Sequence, residues 1–206
     1  MRAPGRVGRV RRLVNDRDAT EAELRALIDG GDLDVATDRA LRAWGPEIYG
    51  WLSGVLADPT EAADGFAVFA EQLWQSLRRY DGRCSTRTWC YMLARHAASR
   101  VREARRRGAA VPLSQAPDIA AAVRTITAVH QQSAVKDELR ALRASLPEED
   151  QMLLVLRVDR DLGWREVAQI LGEEDAPPAE LDRHAAALRK RFERVKAELR
   201  KKMTPR

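Results

Sequence analysis

Leu181, Ala185, Leu188, Phe192, Val195 and Leu199 recur at steps of 4, 3, 4, 3 and 4. On an α-helix those positions fall on one stripe; on a strand they would scatter over both faces. Arg189, Lys190, Arg191, Arg194 and Lys196 surround the stripe, so this helix has an apolar seam in a basic coat. Helical spacing governs most of the chain. Leu24, Leu27 and Ile28 follow it, and after Gly30-Gly31 so do Leu41, Trp44, Ile48, Trp51, Leu52 and Val55. Asp58-Pro59-Thr60 is a break, with Thr60 and Glu61 placed to begin the next helix. Phe66, Phe69, Leu73, Trp74 and Leu77 continue the pattern up to the turn signal Asp81-Gly82. A further helix is expected from about Thr86 to Arg107, with Trp89, Leu93, Ala97 and Val101 on one face. No segment alternates as a strand does, so the expected fold is all-α.

Residues 108–134 break the pattern. They hold Gly108, Pro112 and Pro117, many alanines and few charges, and read as a linker with a short helix at 118–131. Beyond it Leu139, Leu142 and Leu146 precede Pro147, a residue suited to a helix start. Met152, Leu153, Val155 and Leu156 fill that helix; Trp164 to Leu171 is the next, and the basic helix is last. The expected organisation is a basic flexible arm (1–17), a helical unit (18–107), a linker (108–134) and a second helical unit (135–206). The total of 206 residues fits one domain or two small ones. A short helix, a turn and a basic helix in the second unit suggest helix-turn-helix DNA binding.

Charge is segregated. The net charge of +5 conceals three basic blocks: residues 1–17 carry +5, and residues 78–107 and 183–206 carry +8 each, while the remainder carries −16. Blocks of one sign read as footprints for a polyanion. Arginine outnumbers lysine 31 to 5, which suits phosphate and guanine contacts but also follows from coding bias. No apolar run approaches the ~20 residues of a membrane span. Arg11-Arg12 leads into LVNDRDAT, which is no signal core. Cys84 and Cys90 are too few for a disulfide framework or a four-ligand zinc site. A cytoplasmic protein without metal or cofactor is expected. His130 and His184 have no partners by spacing, and no nucleophile–base pair or glycine-rich phosphate loop argues for an enzyme.

Two stretches carry a resemblance. Residues 47–107 contain Asp58-Pro59, Asp64, Leu73-Trp74, Tyr80-Asp81 and Trp89-Cys90-Tyr91-Met92-Leu93-Ala94-Arg95-His96. Residues 145–172 contain Leu162-Gly163-Trp164-Arg165-Glu166-Val167-Ala168, and 187–200 contain Leu188, Arg189, Arg191, Phe192, Arg194 and Lys196. In that order and at that spacing they resemble the two domains of the small bacterial sigma factors, the extracytoplasmic-function type of the sigma-70 family. The resemblance implies core RNA polymerase and promoter DNA as partners, the DNA double-stranded upstream and single-stranded where melted; it also allows an anti-sigma protein.

It implies residues as well. Arg165, Arg189, Lys190, Arg191, Arg194 and Lys196 would meet the upstream element. Tyr80, Arg83, Ser85, Thr86, Arg87, Trp89, Tyr91, Arg95, His96 and Arg100 would meet the melted strand. Asp64, Ala67, Val68 and Glu71 would face the polymerase clamp. Read without the resemblance, the helix charges equally suit a solvated face, and the helix 66–77 equally suits packing inside its own domain. Trp89 shares a stripe with Leu93 and is expected in the core, with Trp44, Trp51, Trp74 and Trp164. The chain departs from the family pattern at three places: Ala67-Val68 replaces Gln-Glu, His96 replaces Asn, and residues 173–186 enlarge the turn before the last helix. A stand-alone helix-turn-helix regulator and a sigma-like sequestering protein are the alternative functions.

Overall fold

The structure, a computed structural model, describes residues 6–56, 58–109, 145–173 and 176–203, with side chains from 16 to 201. Among them there is no strand. The helices are α1 (Arg6–Asp29), α2 (Leu33–Leu56), α3 (Pro59–Ser76), α4 (Thr86–Arg106), α5 (Glu148–Leu154), α6 (Trp164–Leu171) and α7 (Pro178–Met203). A 3-10 turn (Leu77–Arg79) extends α3, and a π-helical turn (Val155–Asp159) extends α5. Helix α1 takes in residues 6–17 of the expected arm. The linker falls outside the described residues from position 110 onward, and His130 with it. No described helix is long and apolar enough to cross a membrane.

Local chemistry sets the ends. Asp58 is extended at φ −90°, and its Oδ1 accepts from the amides of Thr60 at 2.8 Å and Glu61 at 2.9 Å, with Pro59 at the first helical position. Ser85 caps α4 by accepting from the Thr88 amide at 3.0 Å. Glu166 turns back to accept the Gly163 amide at 2.7 Å, closing the start of α6.

Helices α2, α3 and α4 pack around Ile48, Trp51, Leu52, Phe66, Phe69, Leu73 and Tyr91, with Leu24 of α1 at the edge. Gly65 lets the helices close up: a Cβ there would lie 3.0 Å from Leu56 Cδ1 and 3.7 Å from Val101 Cγ2. The second unit buries Leu153, Leu156, Leu162, Val167, Ile170, Leu188 and Phe192. Trp164 meets Phe192 edge-on at 5.4 Å. Arg191 joins α7 to α5 by donating to Asp150 Oδ1 at 2.5 Å and pairing with Glu149.

The enlarged turn resolves itself largely as helix. Only residues 172–177 separate α6 from α7, and 178–186 form the first turns of α7. Leu181, already buried, begins the seam.

The two units share one continuous apolar core. Polar bonds cross between them. Arg95 donates to the carbonyls of Ile170 and Gly172, both at 3.1 Å, at the C-terminal end of α6 where carbonyls lack helical partners. Arg102 pairs with Glu148 and donates to the Val55 carbonyl at 3.0 Å. Thr88 Oγ1 lies 3.3 Å from Glu166 Oε1.

Candidate nucleic-acid interface

Residues 77–86 build the turn between α3 and α4. Gly82 sits at φ +73°, a conformation glycine adopts without a steric cost. Asp81 Oδ1 accepts the Arg83 amide at 3.0 Å, and Oδ2 pairs with the Arg83 guanidinium at 2.8 Å. Tyr80 donates its hydroxyl to the Cys84 carbonyl at 2.5 Å, and its ring meets Trp89 at 5.8 Å. Burial pushes the Tyr80 phenol upward and the Cys84 thiol up to about 12.

Beside this turn lies a cleft of 1160 Å³. One wall is the end of α3, the turn and the outer side of α4; the other is α6 and the segment leading into α7. Four arginines line it, Arg79, Arg83, Arg100 and Arg165, together with His96 and the acids Asp81 and Glu173. Arg83 is engaged by Asp81, and Arg165 lies 3.9 Å from Asp182. Trp89, half-buried, forms part of the floor. Three buried polar atoms of the same wall, Gln72 Oε1, Ser76 Oγ and Trp89 Nε1, have no hydrogen-bond partner. The wall thus combines an aromatic edge, amide and hydroxyl groups, and cations. These are the groups that hold unstacked bases and their phosphates.

The other candidates on α4 lie elsewhere. Thr86 is buried and donates to Glu21 Oε2 at 2.6 Å. Arg87 is 6% exposed, pairs with Glu47 and donates to the Arg160 carbonyl at 2.8 Å. Tyr91 is fully buried, with its hydroxyl on Glu47 at 2.8 Å, and burial raises its phenol. Arg95 is spent on the α6 carbonyls. Ser85 is the helix cap. Of ten residues expected at the melted strand, Arg83, Trp89, His96 and Arg100 line the cleft, and Tyr80 stands behind Trp89. Arg79 and Gln72 were missed because nothing in their local pattern marks them; only the folded wall does.

On α7 the cations divide. Arg183, Ala187, Lys190, Arg194, Ala197 and Lys201 are all exposed at steps of 4, 3, 4, 3 and 4. This second stripe runs along the face opposite the apolar seam, with small residues between its charges and the exposed Glu193 and Glu198 at its flanks. Arg189 is exposed next to it. Arg191, by contrast, serves the α5–α7 junction. Lys196 pairs with Glu193 at 2.8 Å and lies over the Phe192 ring at 4.9 Å. Of the residues expected at the upstream DNA, Arg191 and Lys196 are thus engaged by partners within the chain.

On α3, Ala67 and Val68 are buried in the chain's own core, at 7% and 2% exposure. Asp64 and Glu71 are half-buried at its outer edge, and burial together with the nearby Asp58 raises the Asp64 carboxyl above its ordinary value. Trp74, expected in the core, is 46% exposed, with Nε1 donating to Asp34 Oδ1 at 3.1 Å. The α3 seam turns Leu73 inward, and its neighbour Trp74 therefore points out. Trp44 and Trp51 are buried as expected, and Trp164 is half-buried. Among the described residues no cluster of three or more His, Cys, Asp or Glu is placed to hold a metal ion.

Residues 40–108 match the family model described as Sigma-70 region 2. The match runs from the middle of α2 to the end of α4, through the turn and one whole wall of the cleft. Helices α1 and α5–α7 lie outside it. No curated protein matches the chain.

Proposed function

The chain belongs to the sigma-70 family, and from that premise we propose that it is a dissociable initiation factor that brings RNA polymerase to promoters, reading duplex DNA with α7 and holding the opened strand along the cleft. Region 2 places it among transcription initiation factors that bind polymerase and take part in promoter melting. The bond-making chemistry belongs to the polymerase.

Beyond the family, one observation carries the reading: the exposed basic stripe of α7. A helix enters the major groove when one face offers cations to phosphates and base edges without bulk between them. Arg183, Lys190, Arg194 and Lys201, spaced by Ala187 and Ala197, meet that requirement over about 27 Å of helix. The cleft supports the second half of the reading, since Arg79, Arg100 and His96 flank the Trp89 edge. Asp64 and Glu71, on the outer edge of α3, are the residues we assign to the polymerase, and Ala67 and Val68 support that helix from within.

The test is a pull-down with bacterial core polymerase, followed by transcription of a genomic DNA library by the resulting complex. Stable binding with discrete new start sites is the expected result. Absence of polymerase binding points to a stand-alone DNA-binding regulator. Binding without initiation points to a sequestering protein.

A further inference from the structure

Helix α1 lies outside the region 2 match, yet it reaches into the turn that borders the cleft. Glu21 Oε1 accepts the Thr86 amide at 2.7 Å, and Oε2 accepts the Thr86 hydroxyl at 2.6 Å. A carboxylate there satisfies an unpaired donor of the first turn of α4 and sits at the positive end of its dipole. Arg25, one helical turn on, donates to the carbonyls of Cys84 at 3.3 Å and Gly82 at 3.5 Å, and bonds back to Glu21 at 3.3 Å. From α2, Trp44 Nε1 donates to the same Thr86 hydroxyl at 3.2 Å.

The segment 82–86 is fixed only in part from within, by Asp81 on the Arg83 amide, Tyr80 on the Cys84 carbonyl and the Ser85 cap. Gly82 is at positive φ and Gly82, Arg83, Cys84 and Ser85 belong to no helix. Helix α1 adds bonds to its backbone oxygens at 82 and 84 and to its junction with α4 at 86. Arg83 and Trp89, on either side of that junction, both line the cleft.

We propose that Glu21 and Arg25 are positioning residues for promoter opening: α1 sets the turn in the shape that presents Arg83 and Trp89 to the strand. The inference rests on the initiation-factor reading above. It goes beyond it by giving a role to a helix that the family match leaves out. Glu21 and Arg25 touch the turn and not the DNA. They therefore act on the step in which the strand is captured, and not on the attachment to polymerase or on duplex recognition by α7.

The test uses the full chain as Glu21→Ala, Arg25→Ala and Glu21→Gln. In the chain alone, amide hydrogen exchange is followed at Thr86 and, for comparison, at Phe69 in α3. In complex with core polymerase, three quantities are followed: polymerase affinity, opening of the native promoter by permanganate reactivity, and run-off transcription from a template unpaired in advance. For Glu21→Ala, exchange at Thr86 rises about tenfold, the equivalent of one charge-assisted hydrogen bond, with Phe69 unchanged. Opening slows by about the same factor, polymerase affinity holds, and the unpaired template restores transcription. Glu21→Gln keeps an acceptor for the Thr86 amide and stays close to wild type.

Two results overturn the proposal. One is wild-type opening by both alanine variants. The other is an equal loss of polymerase affinity, of opening and of transcription on the unpaired template, which is the mark of a merely structural helix. If the wild-type chain opens no promoter, the initiation-factor reading falls and takes this inference with it. That failure differs from one in which wild type and variants open alike.

Discussion

Arg87 and Glu47 form an ion pair drawn almost wholly out of water, with side-chain exposures of 8% and 17%. The Tyr91 hydroxyl donates to the same carboxylate, and Nη2 of Arg87, which bonds Glu47, also donates to the Arg160 carbonyl of the second unit. One guanidinium thus joins α2, α4 and the turn before α6. Burial alone would lower its pKa; the Glu47 hydrogen bond and charge outweigh it and raise it.

Removing one member of such a pair strands the other. Arg87→Ala leaves Glu47 buried without its counter-charge, and the expected loss is about 3–5 kcal/mol of unfolding free energy. Urea denaturation measures it. A loss under about 1 kcal/mol, the range of exposed pairs, would show that solvent reaches Glu47 in the folded chain.

The thiols give a second measurement. Burial is the main cause that lifts Cys84 to about 12, and it lifts Cys90 as well. The thiolate is the reactive form. At pH 8 the folded chain should label with a disulfide reagent at least about tenfold more slowly than the urea-unfolded chain, which should yield both thiols. A thiol whose folded pKa is raised contributes stability that is full below its unfolded value of about 8.5 and lost as pH climbs toward the folded one. Unfolding midpoints should therefore fall between pH 8.5 and 10. Fast labelling of two thiols in the folded chain would contradict the packing around Trp89 and Leu24.

What was legible in the sequence was local. Asp58-Pro59, Asp81-Gly82 and the seam from Leu181 each act through neighbours within a few residues, and each marks a boundary where the chain bends or a helix runs. What was not legible depends on a partner far along the chain. Arg87 and Arg100 look alike in a basic block; Glu47, 40 residues back, decides that one is core and the other lines the cleft. Asp150 does the same for Arg191. Trp74 follows Leu73 in an apolar pattern, and only the packing of α3 shows that both cannot face inward.

Asp64 shows a cost borne at the surface that we assign to polymerase. Its carboxyl is raised above the ordinary value by burial first and by Asp58 second. An acid with a raised folded pKa favours the fold most below its unfolded value of about 3.9, and that contribution is lost as pH rises through the folded one. At pH 7 it is gone. Asp64→Asn should therefore be the more stable protein at pH 7, and the difference should vanish near pH 3. Urea midpoints at the two values measure it. The same variant should bind core polymerase more weakly if Asp64 meets a cation there. Equal midpoints at pH 7 would mean that the carboxylate is as well solvated in the folded chain as in the unfolded one.

The cations of α7 separate DNA contact from architecture within a few residues. Lys190 and Arg194 are exposed on the basic stripe, whereas Arg191 is held by Glu149 and Asp150. For Lys190→Ala and Arg194→Ala the unfolding midpoint should stay unchanged. Promoter binding by the polymerase complex should weaken. A residue that meets only phosphate should reduce the salt slope by about 1, and one that reads a base edge should cost about 1–3 kcal/mol of discrimination at that position. Arg191→Ala should reverse the pattern. It leaves Asp150, 8% exposed, without its main partner, and should cost about 1–3 kcal/mol of stability. Its effect on the salt slope should be small. If Arg191→Ala instead lowers the salt slope like its neighbours and leaves the midpoint untouched, the α5–α7 junction does not hold that guanidinium, and all three cations belong to the DNA face.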